Sequence, residues 1–143
     1  LSAEKAAQKL GLELVVLDDL QEFNFGDWDG RLFEDVYAAD PGQADQFWVD
    51  PVRYPPPGGE TIKQFETRVA RAREKILHRD ESRVLIITHG GVIRCLIAQL
   101  LSVDPANWGR IKVDYSHFSQ LRFEYNKGQC WPQLISSNIA SVV

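Results

Sequence analysis

The chain has 143 residues, of which 44% are hydrophobic and 25% charged; this balance fits a single domain over residues 1–143 with its own core and excludes global disorder. A formal net charge of −4 argues against a nucleic-acid or membrane-surface partner. No apolar run reaches transmembrane length and there is no signal peptide, so a cytoplasmic setting is expected. Cys95 and Cys130, the two cysteines, sit at no metal or redox spacing. The chain starts at Leu1 and contains no methionine, from which a segment upstream of it is expected.

In chain order, Ser2 to Leu10 predicts a helix capped by Ser2 and ended by Gly11. Glu13 to Leu17 predicts a short strand, and Asp18 to Gly30 an aromatic and acidic loop. Leu32 to Ala39 predicts a helix stopped by Pro41 and Gly42, with a second short helix over Gln43 to Val49. Pro51 to Gly59, with three consecutive prolines and two glycines, predicts a surface loop of fixed shape. Glu60 to His78 carries the strongest helical signal. Thr61 and Gln64 match a capping box, and Ile62, Phe65, Val69, Ala72 and Ile76 form one apolar stripe.

Val84 to Thr88 is an apolar run of the kind that forms a strand buried on both faces of a parallel sheet. It ends in His89-Gly90-Gly91 and is followed by a helical apolar pattern at Ile93, Leu96, Ile97, Leu100 and Leu101. Near the C-terminus, Leu121, Phe123 and Tyr125 alternate with Arg122 and Glu124, and Asn126-Lys127-Gly128 turns the chain toward Trp131 to Ser136, which predicts an antiparallel hairpin. The order predicts an α/β, three-layer α/β/α fold whose mostly parallel sheet carries that hairpin. The visible strands supply few neighbours for a buried strand at 84–88, so the sheet looks incomplete.

The strand–turn–helix unit at His89 places an ionisable ring at a strand's carboxyl end, where open α/β sheets hold their ligands. Gly90 and Gly91 let the backbone approach a ligand closely, and the free N–H groups of the new helix favour an anion such as phosphate. The same unit also serves as a plain crossover with a hydrogen-bonding histidine, and the motif alone does not choose between them. Glu22 sits between Leu20 and Phe25 in an aromatic loop, where desolvation of its charged form would suit it to give a proton to a leaving group; a solvated loop acid is the alternative. Trp28 and Phe25 read as core plugs, His78 as a helix-terminal cation, His117 as a polar loop residue and Cys95 as packing. Ser116, Ser119, His117 and Asp114 form no hydrolase elbow. The three histidines lie at no metal-ligand spacing, so neither a metal site nor a cofactor is expected.

Leu20-x-Glu22-x-x-Phe25-Gly26-x-Trp28-x-Gly30, Pro57-Gly58-Gly59-Glu60 and Thr88-His89-Gly90-Gly91-Val92-Ile93-Arg94, in this order, resemble the histidine phosphatase (phosphoglycerate mutase-like) superfamily. Within it, the Glu22 segment and the Gly-Gly-Glu helix entry are most similar to bacterial α-ribazole phosphatases and related broad-specificity phosphatases. The resemblance implies a two-step phosphoryl transfer through a phosphohistidine. It makes His89, with the backbone of Gly90 and Gly91, the holder of the phosphoryl oxygens, and Glu22 the acid that protonates the leaving oxygen.

The family's nucleophile lies in an Arg-His-Gly motif ending its first strand, and the 143 residues contain no Arg-His-Gly. The family's arginine on the helix ahead of Ser2 is absent too, so the resemblance implies a domain that lacks its first strand at the N-terminus. The implied partner is a small-molecule phosphate ester, with α-ribazole 5′-phosphate of cobalamin biosynthesis favoured; a homodimer is left open. The chain by itself is expected to be inactive. Two alternatives stand: a phosphoglycerate mutase, for which Arg31 and Arg53 are the evident carboxylate-binding groups, and a non-catalytic phosphate-ligand binder.

Overall fold

In the computed structural model, residues 2–140 are described, Ser2 by its backbone alone. Five helices, α1 (Ser2–Leu10), α2 (Phe33–Ala39), α3 (Pro41–Val49), α4 (Ile62–Leu77) and α5 (Gly90–Leu101), precede two strands, β1 (His117–Asn126) and β2 (Gln129–Ala140). Short 3-10 turns form at Asp18–Leu20, Gly26–Trp28 and Pro105–Arg110. The capping role expected of the Ser2 side chain falls outside the described residues; Gly11 takes a positive φ of 65° after α1, as a helix-ending glycine does.

Helix α4 is the organising element. Thr61 accepts from the Gln64 backbone N–H and the Gln64 side chain accepts from the Thr61 backbone N–H, which completes the expected capping box. Of its buried stripe of Ile62, Phe65, Val69 and Ala72, the first three pack in one core with Val92, Cys95, Leu96 and Ala98 of α5. Burial pushes the Cys95 thiol up to about 12, in keeping with packing rather than reactivity. Gln99 donates from α5 to the Glu66 carbonyl and accepts from Arg73, a polar tie along the flank of the apolar seam.

A second cluster is aromatic. Phe23 meets Phe65 edge-on at 5.3 Å and Phe25 at 4.9 Å, and Trp28 meets Phe47 at 5.5 Å. Such edge-to-face pairs set quadrupole against quadrupole as well as burying area. Trp28 is buried and Phe25 packs against the core, so both are the plugs expected. They also root the Glu22 loop on α4.

Helix α2 ends at Ala39 ahead of Pro41, as expected, and Pro41 and Gly42 also start α3, two residues before the expected Gln43. Asp40 accepts from the Gln43 N–H and Pro41 takes the first helical position, where a missing N–H costs nothing. The turn Pro105–Arg110, which the sequence pattern did not indicate, is capped by Asp104 and buries Trp108. The hairpin is longer than expected on both arms and pairs antiparallel from Asn126↔Gln129 out to His117↔Ala140, with irregular register around Gln120. Asn138, at φ 54°, exchanges hydrogen bonds there with Asp114.

The largest departure concerns the sheet. Among the described residues the paired strands are β1 and β2 alone, in one two-stranded antiparallel sheet. The segments 13–17 and 84–88, expected to be strands, run without helix or ladder pairing. Nor is 84–88 buried: Val84, Leu85, Ile86 and Ile87 are 38–61% exposed, and Leu12, Leu14, Val15 and Val16 are 41–78% exposed. The physical reason is local. Both segments border a groove of about 520 Å³, shared with Ala3, Ala7 and Ile76, and among the described residues no strand pairs with them there. An apolar run encodes burial, but a neighbouring backbone has to supply it. No described helix is long and apolar enough to cross a membrane.

The Pro51–Gly59 segment is not a free surface loop. Pro56 is buried, Asp27 N–H donates to the Pro57 carbonyl at 2.9 Å, and Glu60 N–H donates to the Asn24 carbonyl at 2.9 Å. Gly26 sits at φ 56°, and a Cβ there would run into the backbone of 57–59; one at Gly59 would lie 2.6 Å from the Asn24 carbonyl oxygen. Two loops thus pack backbone against backbone, which leaves no room for a side chain. Gly26→Ala is expected to cost about 3 kcal/mol through clash and positive-φ strain together; chemical denaturation measures it.

Candidate active site

Helix α5 begins at the junction where four segments meet. Its first intrahelical bond runs from Ile93 N–H to the His89 carbonyl, so the N–H groups of Gly90, Gly91 and Val92 find no acceptor within the helix. His89 is the N-cap residue in extended conformation (φ −110°, ψ 163°), and its side chain makes no capping bond. His89 is among the residues that line the apolar groove. Just before it, Thr88 donates its hydroxyl to the Leu20 carbonyl at 2.8 Å and ties the segment to the Glu22 loop.

Glu22 meets this helix terminus directly. Its Oε2 accepts from Gly91 N–H at 3.1 Å and its Oε1 from its neighbour Phe23 N–H at 2.9 Å. The carboxyl was expected among aromatic faces. The Phe23 ring turns into the core, and what the half-buried carboxyl oxygens meet is main-chain N–H. A carboxylate at the amino end of a helix is favoured by the local dipole and by the donors themselves.

Gly91 is required by that contact. A Cβ at Gly91 would collide with the Glu22 carboxyl, whereas a Cβ at Gly90 would lie 3.1 Å from Nη1 of Arg94. Arg94 reaches back along α5 and donates from Nε to the Ile111 carbonyl at 3.0 Å. The turn therefore has an acid on one side and a guanidinium on the other. Of the residues singled out in the sequence, Glu22 contacts Gly91 directly, with Gly90 and the N-cap residue His89 preceding Gly91 in the chain. His78 bonds the Glu74 carbonyl and His117 the Tyr115 carbonyl through their rings. Arg31 donates to the Asp35 carbonyl, and Arg53 lies over the Tyr54 ring. These partners all lie outside the His89 turn.

The Glu22 loop is held by α4. Arg68 donates to both oxygens of Glu60 and to the carbonyls of Asp19, Gln21 and Glu22. Arg71 and Lys75, three and seven residues further on, grip the Asp19 carboxylate. Sequence reasoning missed Arg68 altogether: an arginine on the polar side of an amphipathic helix reads as a solvated charge, and its partners lie 46–49 residues away. Glu60 carried a signal, since it stands in the Pro57–Glu60 motif, but spacing gave it no role. Among the described residues no cluster of His, Cys, Asp and Glu is arranged to hold a metal ion.

Fold and site together are those of an α/β chain with a carboxyl group held at the amino end of a helix. The chain belongs to the histidine phosphatase superfamily, branch 1, whose family model matches residues 1–133. It is 32% identical over 123 residues to the bifunctional protein Rv2228c of Mycobacterium tuberculosis, covering 85% of this chain and 34% of that protein. It is 30% identical over 107 residues to the adenosylcobalamin/alpha-ribazole phosphatase of Salmonella typhimurium, covering 74% of this chain and 53% of that one. The chain thus spans from about a third to about half of the length of these curated relatives. Among solved structures, mycobacterial glucosyl-3-phosphoglycerate phosphatase in complex with inorganic phosphate superposes with a TM-score of 0.82 at 25% identity, over 97% of this chain and 71% of that one.

Two outcomes follow from the geometry. Gly91→Ala pushes only the mobile end of a glutamate, so the fold survives with a change of within about 1 kcal/mol, while the Glu22–Gly91 bond breaks; amide NMR at residue 91 against thermal unfolding separates the two effects. The Arg71 hydrogen bond, seconded by Lys75, holds the Asp19 carboxyl well below the usual carboxylate range. A carboxyl depressed in the folded state stabilises above its unfolded pKa of about 4 and loses that contribution as pH falls below it. Asp19→Asn is therefore expected to be less stable than wild type at pH 7, with the difference shrinking by pH 3 in urea unfolding.

Proposed function

We propose that this chain is the larger part of a phosphomonoesterase acting on small phosphorylated metabolites through a phosphohistidine intermediate. The observation that carries the reading is the Glu22 carboxyl held against Gly91 at the start of α5, two residues from the His89 ring. A phosphoryl group at this helix terminus would have main-chain N–H donors and the imidazole for its oxygens, with a carboxyl beside the leaving oxygen. Phosphoryl transfer asks for little beyond positioning and charge stabilisation, which these groups supply. Esters of ordinary alcohols leave poorly unless the departing oxygen is protonated, and Glu22 is the acid in reach.

The nucleophile is a histidine that these 143 residues do not place at the site. We assign it to an extended strand ending in Arg-His-Gly and seated in the groove between 12–17 and 84–88. Two observations support that seat: both borders are unpaired backbone with exposed apolar side chains, and His89 is one of the residues lining the groove. With that strand in place the two bordering segments become neighbours in the mostly parallel sheet of a three-layer α/β/α domain. Alone, the 143 residues are then without turnover.

The substrate is an alkyl phosphate monoester. The relatives named for phosphatase activity on α-ribazole and glucosyl-3-phosphoglycerate support that class, and α-ribazole 5′-phosphate remains the favoured member. The mutase reading gains no support, because Arg31 and Arg53 are engaged elsewhere.

In the full-length protein, His89→Ala is expected to cut kcat by about 10²-fold or more with an unchanged circular dichroism spectrum. Glu22→Gln is expected to slow an alkyl phosphate by about 10²-fold and p-nitrophenyl phosphate far less, because nitrophenol departs without a proton. Undiminished turnover in His89→Ala, or equal losses on both esters in Glu22→Gln, overturns the respective assignment.

A further inference from the structure

We propose that Arg68 is a positioning residue for Glu22, fixing the loop's main chain so that the carboxyl meets the first turn of α5. The proposal rests on the reading of Glu22 as the acid. Arg68 spends every donor it has on this task. Nε bonds Glu60 Oε2 at 3.0 Å; Nη2 bonds Glu60 Oε1 at 2.6 Å and the Glu22 carbonyl at 2.8 Å; Nη1 bonds the carbonyls of Asp19 at 3.0 Å and Gln21 at 2.7 Å. Three of the five bonds therefore end on the main chain of one short segment, and one of them ends on Glu22 itself.

The guanidinium is itself held from two sides. The Glu60 carboxylate takes the fork bidentately, and that carboxylate also accepts from Asn24 N–H at 2.8 Å, while Glu60 N–H donates back to the Asn24 carbonyl. Below it the Phe65 ring lies 4.7 Å from the guanidinium carbon. The Arg68 side chain is only 18% exposed. Arg71 is 59% and Lys75 55% exposed, and both hold the same loop by the Asp19 carboxylate, not by its backbone. A planar, five-donor group in a shielded slot directs its bonds, whereas exposed ion pairs contribute charge that salt screens.

Glu22 is consequently fixed at three points: its carbonyl by Arg68, one carboxyl oxygen by Phe23 N–H and the other by Gly91 N–H. Without the first anchor the other two depend on a loop whose backbone is free to slide. Lysine cannot replace arginine here, because three donors on one atom cannot reach Glu60 and three carbonyls together.

The test uses Arg68→Lys and, as a second variant that leaves the arginine in place, Glu60→Gln, both in the full-length protein. With each, kcat on an alkyl phosphate is expected to fall about 30-fold and kcat on p-nitrophenyl phosphate about 3-fold or less, with KM within about 2-fold on both. The Gly91 amide cross-peak is expected to move in the direction that Glu22→Gln moves it. A merely structural arginine would lower both rates equally, in step with the folded fraction. Equal losses on the two esters, or a Gly91 amide that stays in place in both variants, overturns the proposal. A wild-type protein that hydrolyses neither ester refutes the acid reading instead, and the Gly91 amide then still decides whether Arg68 places that carboxyl.

Discussion

The contact between Glu22 and the Gly91 amide joins residues 69 positions apart, and the one local bond to the carboxyl, from Phe23 N–H, does not bring the two segments together. On one side a helix must begin at residue 90 with no side-chain cap from His89, leaving its first N–H groups open. On the other a loop without regular structure must deliver a carboxyl to within hydrogen-bonding distance. A charged group on a wandering loop would find water more easily than one particular amide. The architecture around the site is best understood as the set of constraints that remove this freedom.

Those constraints are of two kinds. One is steric: Gly26 and Gly59 bring the Glu22 loop and the proline-rich segment into backbone contact, and Phe23 and Trp28 anchor the same loop in the aromatic cluster. The other is polar and directional: Arg68 and Glu60 take up the carbonyls and amides that a compact loop cannot bond internally. Loops buried against a core leave such groups costly unless they are paired. The same bonds that satisfy the loop therefore also determine its position. Stability and placement of the acid have one source here.

This division explains what could be read from the sequence. Local rules were legible: the Thr61–Gln64 box, the stripe of α4 and the hairpin each depend on residues a few positions apart. Glu22, His89, Gly90 and Gly91 were legible as motif members, and the glycines now have reasons, Gly91 because a carboxyl occupies the space of its side chain and Gly26 because backbone does. Pro41 was read only as the stop of α2, which ends at Ala39, although with Asp40 as cap it is also the start of α3. Arg68 was invisible, since its partners are carbonyls, which no side-chain pattern encodes. Val84 to Thr88 misled in a different way. Its apolar run is accurate about what the segment needs and silent about whether a neighbour is present.

That last point bears on how the site and the groove relate. Two rows of exposed aliphatic side chains, on 12–17 and 84–87, face one opening, and unpaired extended backbone with an apolar surface is the arrangement that strand addition satisfies through main-chain hydrogen bonds. A contiguous apolar surface of this kind on a lone chain marks an interaction site or an aggregation hazard. His89 lines the same opening and lies two residues from the amide that holds Glu22. On the proposed reading, a strand seated there would bury the apolar rows and bring its own terminal residues to the imidazole in a single event. Sheet completion and assembly of the catalytic groups would then share one free energy, so a substitution that weakens the seat far from His89, at Leu14 or Leu85, would lower the population of assembled sites without altering the geometry of those that form.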